Sequence, residues 1–272
     1  MKANNLAISI PSEGCNKNCP YCISKMTESV ENDFDKMMRN TEKVEKLADK
    51  ADVTNVLLTG KTEPLMDFNK VEYFLNAFSD FPIELQTNGI ALLEYPIIME
   101  RLFLDNLNVA AFSIDKIEDF ERFKNVFIRL KGLKILIRVT VNVSSMLNID
   151  NTPIFETLIQ KCKEHKIDQL TLRKLSIPLD PKDDSAAKWI QDHYCEELYT
   201  QLYEDAMHAI RKSKHIRSTN YGTHIYDIGG IAFSYSDYCI QERSGDDDIR
   251  SLIFMNDGHV YTSWDSTASA FI

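Results

Sequence analysis

Val53-Thr54-Asn55-Val56-Leu57-Leu58-Thr59-Gly60-Lys61-Thr62-Glu63-Pro64-Leu65 carries an apolar run straight into a glycine- and proline-bearing turn. Val53 to Thr59 reads as a buried strand, and Gly60 to Pro64 as the turn that ends it. Asn69 to Phe78 then has helical spacing, and Ile83 to Thr87 reads as the next strand, closed by Asn88-Gly89. Strand, helix and strand in that order predict a parallel pair with a right-handed crossover. The same rhythm extends outward. Upstream, Leu6 to Ile10 reads as a short buried strand, and Asn32 to Lys50 spaces Phe34, Met37, Met38, Val44 and Leu47 for one buried helical face. Downstream come a helix (Leu92 to Leu102), a strand (Val109 to Ile114), a helix (Ile117 to Leu130) and a strand (Leu133 to Val143). A helix (Pro153 to His165) and a sixth strand (Gln169 to Leu175) follow. Such a series predicts an α/β fold whose parallel sheet is open or curled toward a barrel.

Folds of this kind place their sites at the C-terminal ends of the strands. A loop with three of the six cysteines, Cys15-Asn16-Lys17-Asn18-Cys19-Pro20-Tyr21-Cys22, follows the first strand. Gly60 to Pro64 ends the second and Thr87-Asn88-Gly89 the third. Ser113 and Asp115 end the fourth, Arg138 and Asn142 lie on the fifth, and Arg173 and Lys174 on the sixth. Three thiolates in one short loop can converge on a metal centre, and soft sulfur ligands select zinc, copper(I) or iron–sulfur clusters. A structural zinc needs a fourth ligand, and no further cysteine or histidine stands nearby in the sequence. A [4Fe–4S] cluster on three cysteines keeps one iron open to a substrate or cofactor.

The Cys-x3-Cys-x2-Cys spacing of Cys15, Cys19 and Cys22, with aromatic Tyr21 before the last cysteine, resembles the radical S-adenosylmethionine (radical SAM) enzymes. The resemblance continues through Thr59-Gly60-Lys61-Thr62-Glu63-Pro64-Leu65, similar to the family's Gly-Gly-Glu-Pro motif, although Lys61-Thr62 stands where a second glycine is normal. It covers roughly residues 6 to 176. It implies a partial (β/α)6 TIM-like barrel, with Cys15, Cys19 and Cys22 holding one [4Fe–4S] cluster whose open iron chelates S-adenosylmethionine. Reductive cleavage then gives a 5′-deoxyadenosyl radical that abstracts a substrate hydrogen. By the same resemblance, Gly60 and Glu63 hold the amino group of S-adenosylmethionine, and Asn88 belongs to the strand-three segment beside it. Ser113 bonds the ribose and Arg138 the carboxylate, while Tyr21, or less readily Leu170 and Leu172, packs on the adenine. These roles suit the chemistry, since an ammonium needs acceptors and a planar guanidinium matches a carboxylate.

At 272 residues, with 44% hydrophobic and 26% charged residues, the composition is that of a globular chain. No apolar run reaches the length of a membrane span, and no secretory signal opens the chain, so the expected compartment is the cytoplasm. Cysteines concentrated in one loop point to metal rather than to a disulfide framework. A net charge of −10 gives no general attraction to nucleic acid. The basic group Arg211, Lys212, Lys214, His215 and Arg217 reads as the solvent-facing end of a helix.

Pro178 to Pro181 breaks the rhythm, so residues 1–177 are expected as the barrel core and 178–272 as an extension acting as a lid or packing element. The extension predicts one long helix (Ala186 to Lys214), an irregular or strand-like stretch (Tyr221 to Tyr238), and a hairpin turned by Asn256-Asp257-Gly258. Cys162 and Cys195 read as buried apolar residues. An auxiliary cluster is not expected, because Cys239 would be its first ligand while Ser263 occupies the place of the second. Tyr235, Tyr238, His259, Tyr261 and Trp264 are candidate substrate contacts. The leading expectation is therefore a radical SAM enzyme served by a one-electron donor of the flavodoxin or ferredoxin type. It would act on a small molecule, nucleotide or peptide, with no catalytic residue of its own identified and its subfamily open. Two other readings stand beside it: a non-catalytic iron–sulfur or zinc-binding partner protein, and a nucleic-acid-modifying radical enzyme.

Overall fold

A computed structural model describes residues 2–147, 153–219, 223–236 and 249–271. The strands are β1 (Ala3–Ser9), β2 (Val56–Thr59), β3 (Ile83–Thr87), β4 (Val109–Ile114), β5 (Leu136–Val143) and β6 (Gln169–Lys174), followed by β7 (Lys214–Ser218), β8 (His224–Ile228), β9 (Ile231–Ser236), β10 (Ile249–Phe254) and β11 (Val260–Tyr261). They form one sheet in the order β11-β10-β1-β2-β3-β4-β5-β6-β9-β8-β7. From β10 through β9 every neighbouring pair is parallel, and β11, β8 and β7 add antiparallel margins. The sheet is not closed into a barrel: β11 stands at one end of its order and β7 at the other. Its six N-terminal strands keep the expected alternation with helices.

Strand geometry divides the residues between two faces. Leu6, Ile8, Val56, Leu58, Leu85, Phe112, Ile137, Val139, Leu170 and Leu172 are buried in the main core, with Val44, Phe74, Phe127 and Leu158 from the covering helices. The alternate residues, among them Ala7, Thr59, Gln86, Ser113, Arg138, Thr140 and Arg173, line a cavity instead. Parallel sheets bury both faces, and here one is filled by apolar side chains and the other by polar ones.

Several helix expectations need correcting. The helix expected over Leu92 to Leu102 is two, Ile90–Glu94 and Ile97–Leu104, because Pro96 lacks the N–H an unbroken helix needs. The stretch Ile117 to Leu130 likewise divides, into Glu118–Arg122 and Lys124–Gly132. The single helix expected over Ala186 to Lys214 is Asp184–His193 and Glu196–Arg211, separated by extended backbone at Tyr194 and Cys195. Helix Phe34–Lys50, capped by the Asp33 side chain, buries Met37, Thr41, Val44 and Ala48, and leaves Met38 exposed. The C-terminal segment adds strands to both ends of the sheet: β9 lies parallel to β6, and β10 parallel to β1. Asp257-Gly258 turns the β10–β11 hairpin, with Gly258 at φ +80°.

Candidate active site

A cavity of about 390 Å³ opens on the polar face of the sheet, beneath the cysteine loop. Cys15, Cys19, Gly60, Glu63, Asn88, Ser113 and Arg138 line it, seven residues that the sequence marked from three strand ends, a strand interior and a loop. Tyr21 and Cys22 are not among the lining residues. The Tyr21 ring packs on Trp189 at 5.5 Å, and its hydroxyl donates to Asp115. Cys22 caps the short helix Ile23–Met26. Leu170 and Leu172 are fully buried on the opposite, apolar face.

The loop is held from below by one buried carboxylate. Asp115, 3% exposed at the end of β4, accepts from Lys17 Nζ at 2.8 Å, from the Tyr21 hydroxyl, and from Asn142 Nδ2 at 2.9 Å. Lys17 lies between the first two cysteines and Tyr21 between the second and third, so both halves of the loop are tied to one anchor. Asn142 Nδ2 also lies 3.0 Å from Ser113 Oγ and 3.1 Å from the Tyr21 oxygen. Burial works against the charge on Lys17, but the neighbouring carboxylate outweighs it and raises its pKa. Burial, with the Asp115 charge nearby, also holds the Tyr21 hydroxyl protonated. Burial pushes the Cys19 thiol up, opposed by the Lys17 ammonium. Cys15, Cys19 and Cys22 are all free thiols.

Glu63 is 3% exposed, and its carboxylate braces the ends of β2 and β3. Oε1 accepts from Thr87 Oγ1 at 2.6 Å and from the Leu65 N–H at 3.2 Å, while Oε2 accepts from the Asn88 N–H at 2.8 Å. Burial raises its pKa despite these donors. Asn88 turns back to the loop, donating from Nδ2 to Asn16 Oδ1 at 2.7 Å and to Cys15 Sγ at 3.7 Å. Gly89 caps the following helix at φ +78°, where a Cβ would lie 2.8 Å from the Phe112 ring. A Cβ on Gly60 would stand 3.3 Å from the Ile10 carbonyl, so the two loops approach there backbone to backbone. Arg138, deeper on β5, pairs with Glu84 of β3, and burial together with the Arg173 charge lowers its pKa to about 10.

Lys17, Glu84 and Arg250 were not singled out by sequence reasoning. Their roles depend on partners 98 and 54 residues away for the first two, and on a strand pairing between β10 and β1 for the third. Asp115, Asn142 and Arg173 were legible as strand-end positions without an assigned part. Trp264 and Ser263, just after β11, also line the cavity. Tyr235 packs against Tyr199 and Tyr203, while His259 and Tyr261 both bond Asp257. Cys239 and Tyr238 lie outside the described residues.

A single zinc with bonds of about 2.3 Å would need tetrahedral sulfurs about 3.8 Å apart. Among the described residues, the metal-ligating side chains that converge within 4.8 Å are Glu121, Glu164 and His165, not the cysteines. Lys161 already neutralises that group, 3.3 Å from Glu121 and 3.1 Å from Glu164. The three cysteine sulfurs are not drawn together within 4.8 Å.

Comparison with known proteins gives concordant results. A profile of the Radical SAM superfamily matches residues 9–161. The 7-carboxy-7-deazaguanine synthase of Clostridium acetobutylicum is 28% identical over 200 residues, 64% of this chain and 86% of the relative. SuiB of Streptococcus suis bound to S-adenosylmethionine superposes with a TM-score of 0.61 at 14% identity, over 95% of this chain and 60% of SuiB. SuiB bound to its precursor peptide SuiA gives 0.54 at 14% identity, over 95% and 59%. The chain thus spans about 60% of the length of those solved structures. No described helix is long and apolar enough to cross a membrane.

Proposed function

The chain belongs to the radical SAM superfamily, and on that premise we propose that Cys15, Cys19 and Cys22 hold one [4Fe–4S] cluster over the cavity, where S-adenosylmethionine binds. When bound, these groups supply one-electron reductive cleavage of S-adenosylmethionine and hydrogen abstraction from the substrate. The observation that carries the reading is the loop itself: three free thiols within eight residues, two of which, Cys15 and Cys19, line a polar cavity.

The chain's own residues then have distinct tasks. Asp115 fixes the loop through Lys17 and Tyr21. Glu63 holds the turn after β2 against the end of β3, so that the Gly60 to Glu63 backbone presents acceptors to an ammonium group. Ser113 offers a hydroxyl for the ribose, and Arg138 a guanidinium for the carboxylate of S-adenosylmethionine. Asn88 donates toward Cys15 and so ties the end of β3 to the first cysteine. Tyr21 serves as a loop anchor, and packing on the adenine is assigned to it only as a second contact. Cys15 is exposed, which supports delivery of the electron from an external donor of the flavodoxin or ferredoxin type. The substrate we favour is a small polar molecule, in keeping with a cavity of about 390 Å³. Residues 1–177 are proposed as the catalytic core, completed at its sheet margins by 178–272, and the compartment as the cytoplasm.

The test is compositional. Anaerobically reconstituted protein should bind about four irons per chain, the stoichiometry of one [4Fe–4S] centre, and alanine at Cys15, Cys19 or Cys22 should abolish the brown absorbance. Glu63→Ala should weaken S-adenosylmethionine binding while keeping the iron. Full iron in a cysteine variant would remove that residue from the site.

A further inference from the structure

The helix Asp184–His193 buries its apolar face in a small core apart from the main one. Ala186, Ala187 and Ile190 are buried there, with Trp189 half-buried beside them. They meet Tyr21, Ile23 and Met26 of the cysteine segment, and Leu175 and Ile177 just past β6. Among the described residues, none from this helix belongs to the main core. Its other side, with Ser185, Lys188, Gln191 and Asp192, is exposed.

The helix is joined to the cysteine segment at two points. Ahead of it, the Lys182 N–H donates to the Met26 carbonyl at 2.9 Å, next to the Asp183 cap. Toward its end, the Trp189 ring packs on Tyr21 at 5.5 Å and stacks on His193 at 3.9 Å. His193 Nδ1 donates to the Trp189 carbonyl at 2.9 Å, which fixes that stack. Tyr21 stands between Cys19 and Cys22, and Cys22 leads directly into the short helix Ile23–Met26. Asp115 holds Tyr21 by its hydroxyl, so the Tyr21 ring and the chain after Cys22 take their support from Trp189 and its neighbours. Neither helix is long enough to be stable alone, since short helices draw their stability from tertiary packing. The two therefore order together.

We propose that the helix Asp184–His193 is a clamp on the cysteine loop, and that Trp189 is a positioning residue for Cys19 and Cys22, acting through Tyr21 and Ile23–Met26. The extension then belongs to the cluster site as well as to the sheet margins. The inference rests on the cluster assignment above for what the loop holds. Linkage makes the coupling reciprocal, so a cluster that stabilises the loop stabilises the helix equally.

The test begins on cluster-free protein. Iodoacetamide should label half-buried Cys19 and Cys22 about tenfold faster in Trp189→Ala than in wild type, a factor equal to 1.4 kcal/mol, and Trp189→Phe should restore most of the protection because it keeps a ring. Cys15 is exposed already, so its rate is the internal reference and should not change. Urea unfolding should keep its main transition in both variants, because the helix shares no described residue with the main core. If Trp189→Ala does not fold, hydrogen exchange on wild-type protein decides: loading the cluster should slow the amides of Ala186 to Ile190 more than those of Leu202 to Ala206. Equal labelling of Cys19 and Cys22 in wild type and Trp189→Ala overturns the proposal. So does labelling that Trp189→Phe fails to slow, or exchange in the helix that is indifferent to loading. Wild-type protein that takes up no iron contradicts the cluster reading instead, and the labelling rates still decide the clamp.

Discussion

Replacing Asp115 by asparagine preserves its shape and removes its charge, which isolates what this side chain does for the cysteine loop. The carboxylate accepts from three donors on two sides: Lys17 on Oδ2, Tyr21 and Asn142 on Oδ1. An asparagine offers one acceptor oxygen and turns an NH2 toward the other side. If the oxygen faces Tyr21 and Asn142, the Lys17 ammonium meets a donor; if it faces Lys17, the Tyr21 hydroxyl loses its acceptor, while Asn142 keeps Ser113 Oγ. A hydrogen bond to a charged group contributes about 1.5–3 kcal/mol, and a stranded buried donor costs about 1–3 kcal/mol. Lys17 retains 27% side-chain exposure and can recover part of this from water. A loss of roughly 2–4 kcal/mol in the folded loop remains, and it translates to roughly 30- to 1000-fold weaker retention of iron, at about 1.4 kcal/mol per factor of ten. The assay is anaerobic chelator competition on reconstituted protein, following iron per chain, with urea unfolding of the cluster-free protein alongside. The expected outcome is early iron loss from Asp115→Asn, with most of the fold intact. Iron retention equal to wild type would refute the reasoning, because the thiolates alone would then organise the loop.

In cluster-free protein, iodoacetamide at about pH 8, just below the reference thiol pKa, should label exposed Cys15 and spare Cys162 until denaturant is added; equal labelling would contradict the packing of helix Ile154–Glu164. Burial pushes the Cys162 thiol up to about 12, so the folded state holds that proton more tightly than the unfolded chain. The resulting stability is complete below the unfolded pKa of about 8.5 and lost as pH rises toward the folded value; Cys162→Ala should flatten that alkaline fall in urea midpoint, and an unchanged slope would assign it to another group. Gly89→Ala should destabilise by roughly 2–4 kcal/mol, from left-handed backbone and overlap with the Phe112 and Phe123 rings; a change below ~0.5 kcal/mol in urea unfolding would show that this turn relaxes within the scatter of surface substitutions. Tyr21→Phe should shift iron retention by about 1 kcal/mol, the value of one hydrogen bond, in the same chelator assay. A loss as large as that of Asp115→Asn would give Tyr21 a part beyond anchoring.

What could be read in advance was what is local. The βα rhythm rests on runs of a few apolar residues followed by turns, and the cysteine loop on a spacing within eight residues. Pro96 was equally local, yet apolar residues on both sides of it masked the break between Ile90–Glu94 and Ile97–Leu104. Asp257-Gly258 marked the β10–β11 hairpin for the same local reason, while the parallel pairing of β10 with β1 joins Ala3 to Ile249 and leaves no mark in either segment. The candidate site shows the same division. Cys15, Gly60, Glu63, Asn88, Ser113 and Arg138 announce themselves by residue type at strand ends or on a strand. The Lys17–Asp115 and Arg138–Glu84 pairs exist only after the sheet has brought distant strands into register. Tyr21 kept its place beside the last cysteine, but its partners, Trp189 and Asp115, come from remote elements.

The central claim, a radical SAM centre on Cys15, Cys19 and Cys22, is tested most directly by reconstituting the protein anaerobically and supplying dithionite and S-adenosylmethionine. The account predicts slow release of 5′-deoxyadenosine in step with iron content, and none from the cysteine variants. A fully loaded wild-type protein that cleaves no S-adenosylmethionine under any reductant, or a protein that takes up one zinc instead, would contradict it.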